Sequence, residues 1–294
     1  MSGILSQLGS LRQARGWAVA RKVIEDTFKD GFIHAGNLAY LSMVAIFPFF
    51  VIGAALFDII GGRANAEAMI ATVAQAMPDS VSTTIVPVAE GVISARSGGL
   101  LWAGGLVGLW TVSSLIETIR DVLRRAYKVK NLRPFWQTRL VSAGLILGAV
   151  VLLMLSLFAQ VLIGGAEQVI GAAFPQLNQW IGALRLSRII PAFGLAGSLW
   201  VLFLSLTPPV FRGRTYPKWP GALFTTIWWL VVAAALPVAL RTVFSFDVTY
   251  GSLAGSMVTL LFFWLVGLGL VIGAELNAAL ALVPSPPAEP QVEE

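Results

Sequence analysis

Six apolar stretches of about 20 residues constrain this chain more than any other feature of its sequence. A helix of that length crosses the roughly 30 Å hydrocarbon core of a bilayer, and it satisfies its own backbone hydrogen bonds there. Charged side chains occur in the stretches only near an end, as Asp58 and Glu117. The stretches are 38–60, 98–119, 140–163, 189–206, 221–240 and 253–274. The sequence therefore predicts an all-α, polytopic membrane protein with six transmembrane helices.

The number and placement of charged residues exclude an ordinary water-soluble protein. Only 12% of the residues are charged, against about 25% in soluble domains. Of the 20 lysine and arginine residues, 15 precede span one or follow spans two and four, and the other five lie in the intervening loops. By the positive-inside rule, both termini are predicted to be cytoplasmic in a bacterial inner membrane. The basic residues are expected to contact anionic lipid headgroups rather than nucleic acid.

Residues 10–32 have the pattern of an amphipathic helix within a cytoplasmic N-terminal segment, 1–37. Apolar and basic side chains fall on opposite faces, at spacings of three, four and seven residues. The apolar face contains Trp17, Ala20, Ile24 and Phe28, and the basic face contains Arg15, Lys22 and Lys29. Such a helix either lies in the plane of the membrane interface or packs, solvated, on the cytoplasmic face of the bundle.

The loop between spans one and two, 61–97, is predicted to form an external helical cap. Two apolar stripes at helical spacing, Ala66–Met77 and Val81–Val92, are separated by Pro78 and Asp79. The cap either acts as a lid or a lateral gate or packs on the bundle, and packing is the preferred interpretation. The six-span domain is predicted to cover 38–283. The Pro- and Glu-rich tail, 284–294, is expected to be disordered and cytoplasmic.

Polar residues at membrane depth are candidate functional residues, because an ionisable group in hydrocarbon is costly. Near the cytoplasmic ends of spans one, two and six they define a candidate substrate-binding or gating layer, with Pro48 interrupting helix one. The layer comprises Asn37, Tyr40, Ser42, Pro48, Glu117, Arg120, Arg124, Glu275 and Asn277. A structural ion pair is the preferred interpretation of Glu117, whereas proton transfer and structural pairing are equally weighted for Glu275. An external candidate site comprises Arg241, Asp247 and Tyr250.

Hydrolytic and redox chemistry lack the residue patterns that they need. The chain has no cysteine and one histidine, His34, and its acidic residues are scattered without metal-ligand spacing to a histidine. It also has no Gly-Lys-Ser/Thr loop for a nucleotide. We therefore predict no catalytic residue, no metal and no cofactor. Glycine pairs four residues apart, such as Gly104/Gly108 and Gly269/Gly273, are expected to allow close helix packing.

Short motifs along residues 20–283 resemble one known family. They are NLAYLS (37–42) with IFP (46–48), SLIE (114–117), WPGA (219–222), YGSLA (250–254) and GAELN (273–277). In this order and spacing they are similar to the YihY/BrkB family of bacterial inner-membrane proteins, also called UPF0761. That family often has an asparagine where Glu117 stands, so no role is carried over to this position. The family has the old label ribonuclease BN, but this sequence shows no acid/base pair or metal site of the kind that a hydrolytic nuclease needs.

The resemblance implies a six-span protein that moves lipids or solutes. Together with the polar residues at depth and the basic cytoplasmic face, it predicts a translocator of a lipid or amphipathic anion, either energy-independent or gradient-coupled. The alternative is a non-transporting scaffold or envelope assembly factor with a closed bundle in which Glu117 and Glu275 are paired. A membrane enzyme would have to use these same two carboxylates. Assembly into a homo-oligomer is left open by the sequence.

Overall fold

The computed structural model describes residues 15–60, 77–94, 98–129, 186–242 and 253–284, with isolated positions at 70, 71, 74, 136, 137, 140 and 144. Within these ranges the chain forms helices and turns and contains no strand. The main helices are α1 (Phe32–Ile60), α2 (Asp79–Ser94), α3 (Gly98–Ala126), α4 (Leu186–Leu206), α5 (Trp219–Thr242) and α6 (Ala254–Leu282). The predicted all-α class is confirmed for this part of the chain.

Five of the six predicted spans coincide with helices, namely α1, α3, α4, α5 and α6. Among the described residues, two segments are long and apolar enough to cross a membrane: Trp219–Leu240 of α5 and Ala254–Leu282 of α6. A shorter apolar segment, Ala192–Leu206, lies in α4. The third predicted span, 140–163, falls outside the described residues except for positions 140 and 144. The complete six-span arrangement therefore stays a prediction.

The helices run in two opposite directions and define two ends of a bundle. The basic end is the end at which α1 and α5 begin and α3, α4 and α6 finish. Its buried apolar core joins these five helices, through residues such as Leu38, Leu123, Phe203, Ala222 and Val271. A second buried core lies toward the opposite end and joins α1, α2, α5 and α6, through residues such as Phe50, Val81, Ile85, Leu236 and Phe262.

Helix α2 corresponds to the second stripe of the predicted external cap, and it packs against α1 and α6. Val81 and Ile85 of that stripe are buried, but Val88 is 43% exposed and Ala89 is buried in its place. The buried face is therefore rotated by one residue relative to the prediction. The first stripe of the cap lies largely outside the described residues.

The amphipathic N-terminal segment does not form a separate element. Residues 15–26 are helical and continue through a π-helical turn, Thr27–Gly31, directly into α1. The Arg15 guanidinium donates hydrogen bonds to the carbonyls of Leu280 (3.3 Å) and Val283 (3.5 Å) at the end of α6. This end of the segment thus contacts the end of α6, and the location of the segment in the membrane interface stays a prediction.

The structure agrees only in part with the apolar and basic faces that were predicted for this segment. The apolar face is exposed, with Trp17 at 71% and Phe28 at 70%. Lys22, which was expected to reach headgroups, instead pairs with Asp26 in a half-buried ion pair. The reason is that Lys22 and Asp26 lie four residues apart on the side that turns toward the protein.

Helices α5 and α6 are joined by side chains that hydrogen-bond to backbone across the interface. The indoles of Trp228 and Trp229 donate to the carbonyls of Leu265 (2.8 Å) and Val266 (2.9 Å). The Thr225 hydroxyl donates to the Gly269 carbonyl at 3.1 Å. Such bonds link membrane helices because no water competes for the donors. Glycines allow the close approach, since a Cβ at Gly273 would overlap Thr225.

A similar close contact joins α1 to α3. A Cβ on Gly108 would overlap the ring of Pro48, so the helix-interrupting proline packs against a glycine of the neighbouring helix. Gly108 and Gly273 are members of glycine pairs that the sequence predicted to be packing sites, and both lie at helix contacts.

The α5–α6 contact predicts the effect of a single methyl group. In Gly221→Ala the added Cβ overlaps the Gly273 carbonyl oxygen and the Asn277 side chain, so we expect a loss of about 1–3 kcal/mol, as for overpacked cores. The measurement is thermal unfolding of the detergent-purified protein. Gly197→Ala in α4 is the matched control, because nothing lies within 4 Å of its Cβ position. Equal melting of the two variants would contradict the packing described here.

Candidate functional site

A charged cavity of about 170 Å³ lies at the basic end, between the π-helical turn, α1, α3 and α6. Its wall carries three acidic side chains, three basic side chains and the only histidine of the chain. The lining residues are Asp26, Lys29, Asp30, Gly31, His34, Val122, Arg125, Lys128 and Glu275. At about 30 Å³ per water molecule, the volume equals roughly six waters, which is room for a small polar group.

Two polar atoms of this wall have no hydrogen-bond partner in the described part of the chain. Glu275 Oε2 and His34 Nε2 are buried without a hydrogen bond in the described part of the chain. Of the six charged lining residues, Asp26 is ion-paired with Lys22, and no two of the six pair with each other. Buried polar atoms in proteins are nearly always satisfied. The wall is therefore suited to a polar ligand or to water.

An apolar cavity of about 490 Å³ lies deeper in the bundle, between the two buried cores. It is lined by residues of α1, α3, α4, α5 and α6, among them Leu115, Leu199, Trp229 and Phe262, with Ser42 as a polar exception. Leu230, on its wall, is 47% exposed, which places one edge of the cavity at the outer surface of the bundle. The volume is within the range of about 300–1,000 Å³ that is typical of ligand pockets.

The two cavities follow one another along the same three helices. His34 lines the charged cavity and Leu38, one helical turn further on, lines the apolar one. The same succession occurs from Val122 to Ile119 on α3 and from Glu275 to Leu270 on α6. At 1.5 Å per residue the offset is about 4–8 Å.

Small, fully buried side chains close the space between the cavities. Ala35 and Val271 lie between the two sets of lining residues and are 0% and 1% exposed. The backbone also approaches closely there, since a Cβ at Gly267 would lie 3.1 Å from the Ala35 carbonyl oxygen. The result is an amphipathic pair of cavities, charged at the basic end and apolar toward the middle, with a packed layer between them.

The structure distributes the predicted polar layer among different environments. Ser42 lines the apolar cavity and Glu275 the charged one. Asn37 is exposed and Tyr40 is 62% exposed, so both face away from the bundle. Pro48 packs against Gly108. The residues therefore do not form one layer, because successive polar positions of α1 point in different directions around the helix.

The predicted polar residues of α3 form ion pairs within that helix. Arg120 Nη1 lies 2.6 Å from Glu117 Oε1, and Arg124 Nη1 lies 3.0 Å from Asp121 Oδ1. Both pairs have the (i, i+3) spacing that brings side chains together on a helix. A structural role for Glu117 was the preferred interpretation of the sequence, and this contact is consistent with it.

Asn277 holds the beginning of α5 against α6. Its Oδ1 accepts a hydrogen bond from the Gly221 amide at 2.8 Å, and its Nδ2 donates to the Lys218 carbonyl at 3.1 Å. The first N–H groups of a helix have no intrahelical acceptor, so Asn277 caps α5 from the neighbouring helix. The sequence placed Asn277 among substrate-binding candidates, and the structure gives it these two backbone contacts.

Lys218, which precedes α5, stabilises the adjoining loop. Its ammonium donates hydrogen bonds to the carbonyls of Phe211, Gly213 (3.1 Å) and Tyr216 (2.5 Å). Burial, together with the charge of Arg212, lowers the pKa of Lys218. The sequence treated Lys218 as one of the orientation signals of a cytoplasmic loop, and a buried structural cation was not anticipated.

The external candidate site cannot be assembled from the described residues. Arg241 lies in the last turn of α5, and Asp247 and Tyr250 fall outside the described ranges. An external site formed by these three residues remains a prediction.

Sequence reasoning missed most of the charged cavity, although one signal for it was present. Asp26, Asp30 and His34 recur every fourth residue, and Leu38 and Ser42 continue the same spacing into the apolar cavity. Residues four apart share a helix face, so this stripe changes from charged to apolar along one face. Arg125 and Lys128 had no such signal, because they reach the cavity only through the packing of α3 against α1.

The outer surface and the helices together define the class of protein. Large apolar side chains are exposed along α3, α4 and α5, including Leu106, Phe193, Ile227 and Val231, and such extensive exposure indicates contact with lipid. With the two long apolar helices, this is an α-helical membrane protein. Residues 27–293 match the family described as Virulence factor BrkB, and the chain belongs to this family, as the motifs of the sequence predicted.

Three bacterial relatives cover most of the chain. It is 26% identical to the ribonuclease-like protein YfkH of Bacillus subtilis, over 86% of this chain and 91% of that protein. It is 25% identical to a UPF0761 membrane protein of Pseudoalteromonas translucida, over 94% and 89% of the two chains. A UPF0761 membrane protein of Verminephrobacter eiseniae is 26% identical over 90% of this chain, which spans 62% of that longer relative. No solved structure matches the chain.

The capping contact predicts a specific loss of stability in Asn277→Leu. The substitution leaves the Gly221 amide and one acceptor site of the Lys218 carbonyl buried and unpaired, which costs about 1–3 kcal/mol per group. Thermal unfolding in detergent measures this loss. Asn37→Leu is the control, since Asn37 is exposed and a surface change of this kind stays within about 0.5 kcal/mol. A melting temperature of Asn277→Leu equal to that of the control would show that the cap contributes nothing.

Proposed function

We propose that this protein is a transporter of the bacterial inner membrane that moves a phospholipid or another amphipathic anion, with both of its termini in the cytoplasm. The observation that carries the proposal is the succession of a charged and an apolar cavity along the same three helices. A headgroup needs hydrogen bonds and counter-charges, and an acyl chain needs a dry apolar space.

The position of the cavities supports movement rather than surface binding. Transporters hold their substrates near the middle of the membrane, at the junction of several helices. The apolar cavity lies between the two buried cores and is lined by five helices. The charged cavity lies at the end that carries most of the basic residues, which the positive-inside rule assigns to the cytoplasm. The cationic side chains Lys29, Arg125 and Lys128 provide contacts for a phosphate there.

In the proposed transport cycle, the packed layer between the cavities has to open. Ala35 and Val271 close the passage, so a headgroup passes only when α1 and α6 separate at this level. The sequence shows no nucleotide-binding loop, so the movement is proposed to be gradient-coupled or energy-independent.

A non-transporting scaffold is the second candidate. The Glu117–Arg120 ion pair and the dense α5–α6 interface are the contacts that a scaffold needs. A scaffold does not need an apolar recess of about 490 Å³ that lies between its cores and reaches the outer surface of the bundle. This volume is the reason that transport is preferred.

Obstruction of the apolar cavity tests transport. In liposomes with an acyl-labelled phospholipid, the purified protein is expected to accelerate exchange between leaflets, followed by a membrane-impermeant quencher. Ser42→Phe projects a ring into the cavity and should slow the exchange at least about tenfold, which corresponds to about 1.4 kcal/mol of barrier.

Val44→Phe is the matched control for this experiment. It adds a ring on the same helix at a position that is 41% exposed, and it should exchange lipid like the wild type. No exchange by the wild-type protein, with any phospholipid, would favour the scaffold. Normal exchange by Ser42→Phe would remove the apolar cavity from the substrate path.

A further inference from the structure

We infer that the charged cavity selects a glycerophospholipid whose headgroup carries a primary amine as well as a phosphate, as in a phosphoethanolamine headgroup. The inference rests on the proposed function and names the substrate class for its charged cavity. It follows from the balance, the placement and the incomplete pairing of the charges that line this cavity.

The balance of charges is the first reason. Three carboxylates, of Asp26, Asp30 and Glu275, face the same space as three cations, of Lys29, Arg125 and Lys128. A purely anionic headgroup satisfies the cations but lies beside three carboxylates in a small, partly buried space, where like charges repel more strongly than in water. A headgroup with an anionic phosphate and a cationic amine satisfies both groups.

The placement of the charges is the second reason. Asp26 and Asp30 lie one turn apart just before α1, and Glu275 approaches from α6, within electrostatic range of both. Lys22 and Lys128 also act on Glu275, and Lys22 is already paired with Asp26. Arg125 and Lys128 come from the end of α3. The carboxylates therefore come from the segment before α1 and from α6, whereas two of the three cations come from the end of α3 and the turn that follows it.

Unpartnered atoms are the third reason. Glu275 Oε2 is buried without a hydrogen bond, and a primary ammonium can donate to it. His34 Nε2 is likewise buried without a hydrogen bond and, as a donor, can contact a phosphate oxygen. A quaternary amine has no N–H to donate, so the same geometry discriminates against phosphocholine. Hydrogen bonds between charged groups are stronger than those between neutral groups. The loss of one is therefore expected to weaken the binding of phosphocholine markedly relative to phosphoethanolamine.

The neighbouring apolar cavity favours a lipid over a free water-soluble zwitterion as the ligand. The apolar cavity begins about one helical turn from His34 and Glu275. This distance is shorter than a phospholipid molecule. One lipid molecule can therefore place its headgroup in the charged cavity and its chains in the apolar cavity when the layer between them opens.

The experiment compares acyl-labelled phosphatidylethanolamine, phosphatidylcholine and phosphatidylglycerol in the same liposome exchange assay. Native mass spectrometry of the purified protein in an equimolar mixture of the three measures binding independently. We expect exchange and retention of phosphatidylethanolamine to exceed those of the other two at least about tenfold, the size of one lost hydrogen bond to a charged group.

Two variants assign the preference to the cavity. Glu275→Gln is expected to reduce the preference for phosphatidylethanolamine over phosphatidylglycerol to within about threefold, since it removes the negative charge that pairs with the ammonium group. Arg125→Gln is expected to weaken the binding of all three phosphates. Glu90→Gln, on the exposed face of α2 at the opposite end of the bundle, is the control and should behave like the wild type. Asp30→Asn replaces Glu275→Gln if the latter does not fold.

The outcomes separate the two proposals. Exchange of phosphatidylglycerol as fast as phosphatidylethanolamine would overturn the headgroup selection and leave transport intact. Selective retention without exchange, abolished by Glu275→Gln, would support the headgroup site and overturn transport. A uniform change for all three lipids in Glu275→Gln would overturn the assignment of the amine to this carboxylate.

Discussion

The fold depends on one constraint of the membrane interior: a polar group has no water there and must find its partner within the protein. The α5–α6 interface shows how this chain meets the constraint. Trp228, Trp229 and Thr225 donate to backbone carbonyls of α6, and Asn277 of α6 caps the first turn of α5. Each contact joins a side chain of one helix to the main chain of the other. The register of the two helices is thereby fixed more firmly than apolar packing in lipid would fix it.

The close packing of α5 against α6 helps to determine where cavities remain in the bundle. Glycines bring α5 close to α6 and α3 close to Pro48 of α1, and the two buried cores form around these contacts. Between the cores the side chains do not fill the volume that five helices enclose, and the apolar cavity remains. At the basic end, the π-helical turn before α1 brings Asp26, Asp30 and His34 to face α3 and α6. The helix packing that forms the charged cavity also closes the layer between it and the apolar cavity.

The sequence predicts the helices well because the apolar stretches and their interruptions are local signals. Five predicted spans coincide with helices, and Gly108 and Gly273 lie at contacts as their spacing suggested. The partners of polar residues are less predictable. Trp228 and Trp229 lie within an apolar stretch that predicts a span but no hydrogen-bond partner, yet both indoles hydrogen-bond to α6. Asn277 was grouped with Tyr40, although one is buried and the other is 62% exposed. Which way a side chain faces depends on helix packing, and no local pattern predicts the packing of α3 against α1 that places Arg125 on the wall of the charged cavity.

The most direct test of an amphipathic substrate path is an experimental structure of the protein in lipid nanodiscs, at a resolution that shows bound lipid. We expect elongated density in the apolar cavity beside Ser42 and Phe262, and headgroup density between Glu275 and Arg125. A bundle in which side chains fill the apolar cavity, and in which Glu275 is ion-paired with a neighbouring cation, would contradict the existence of such a path.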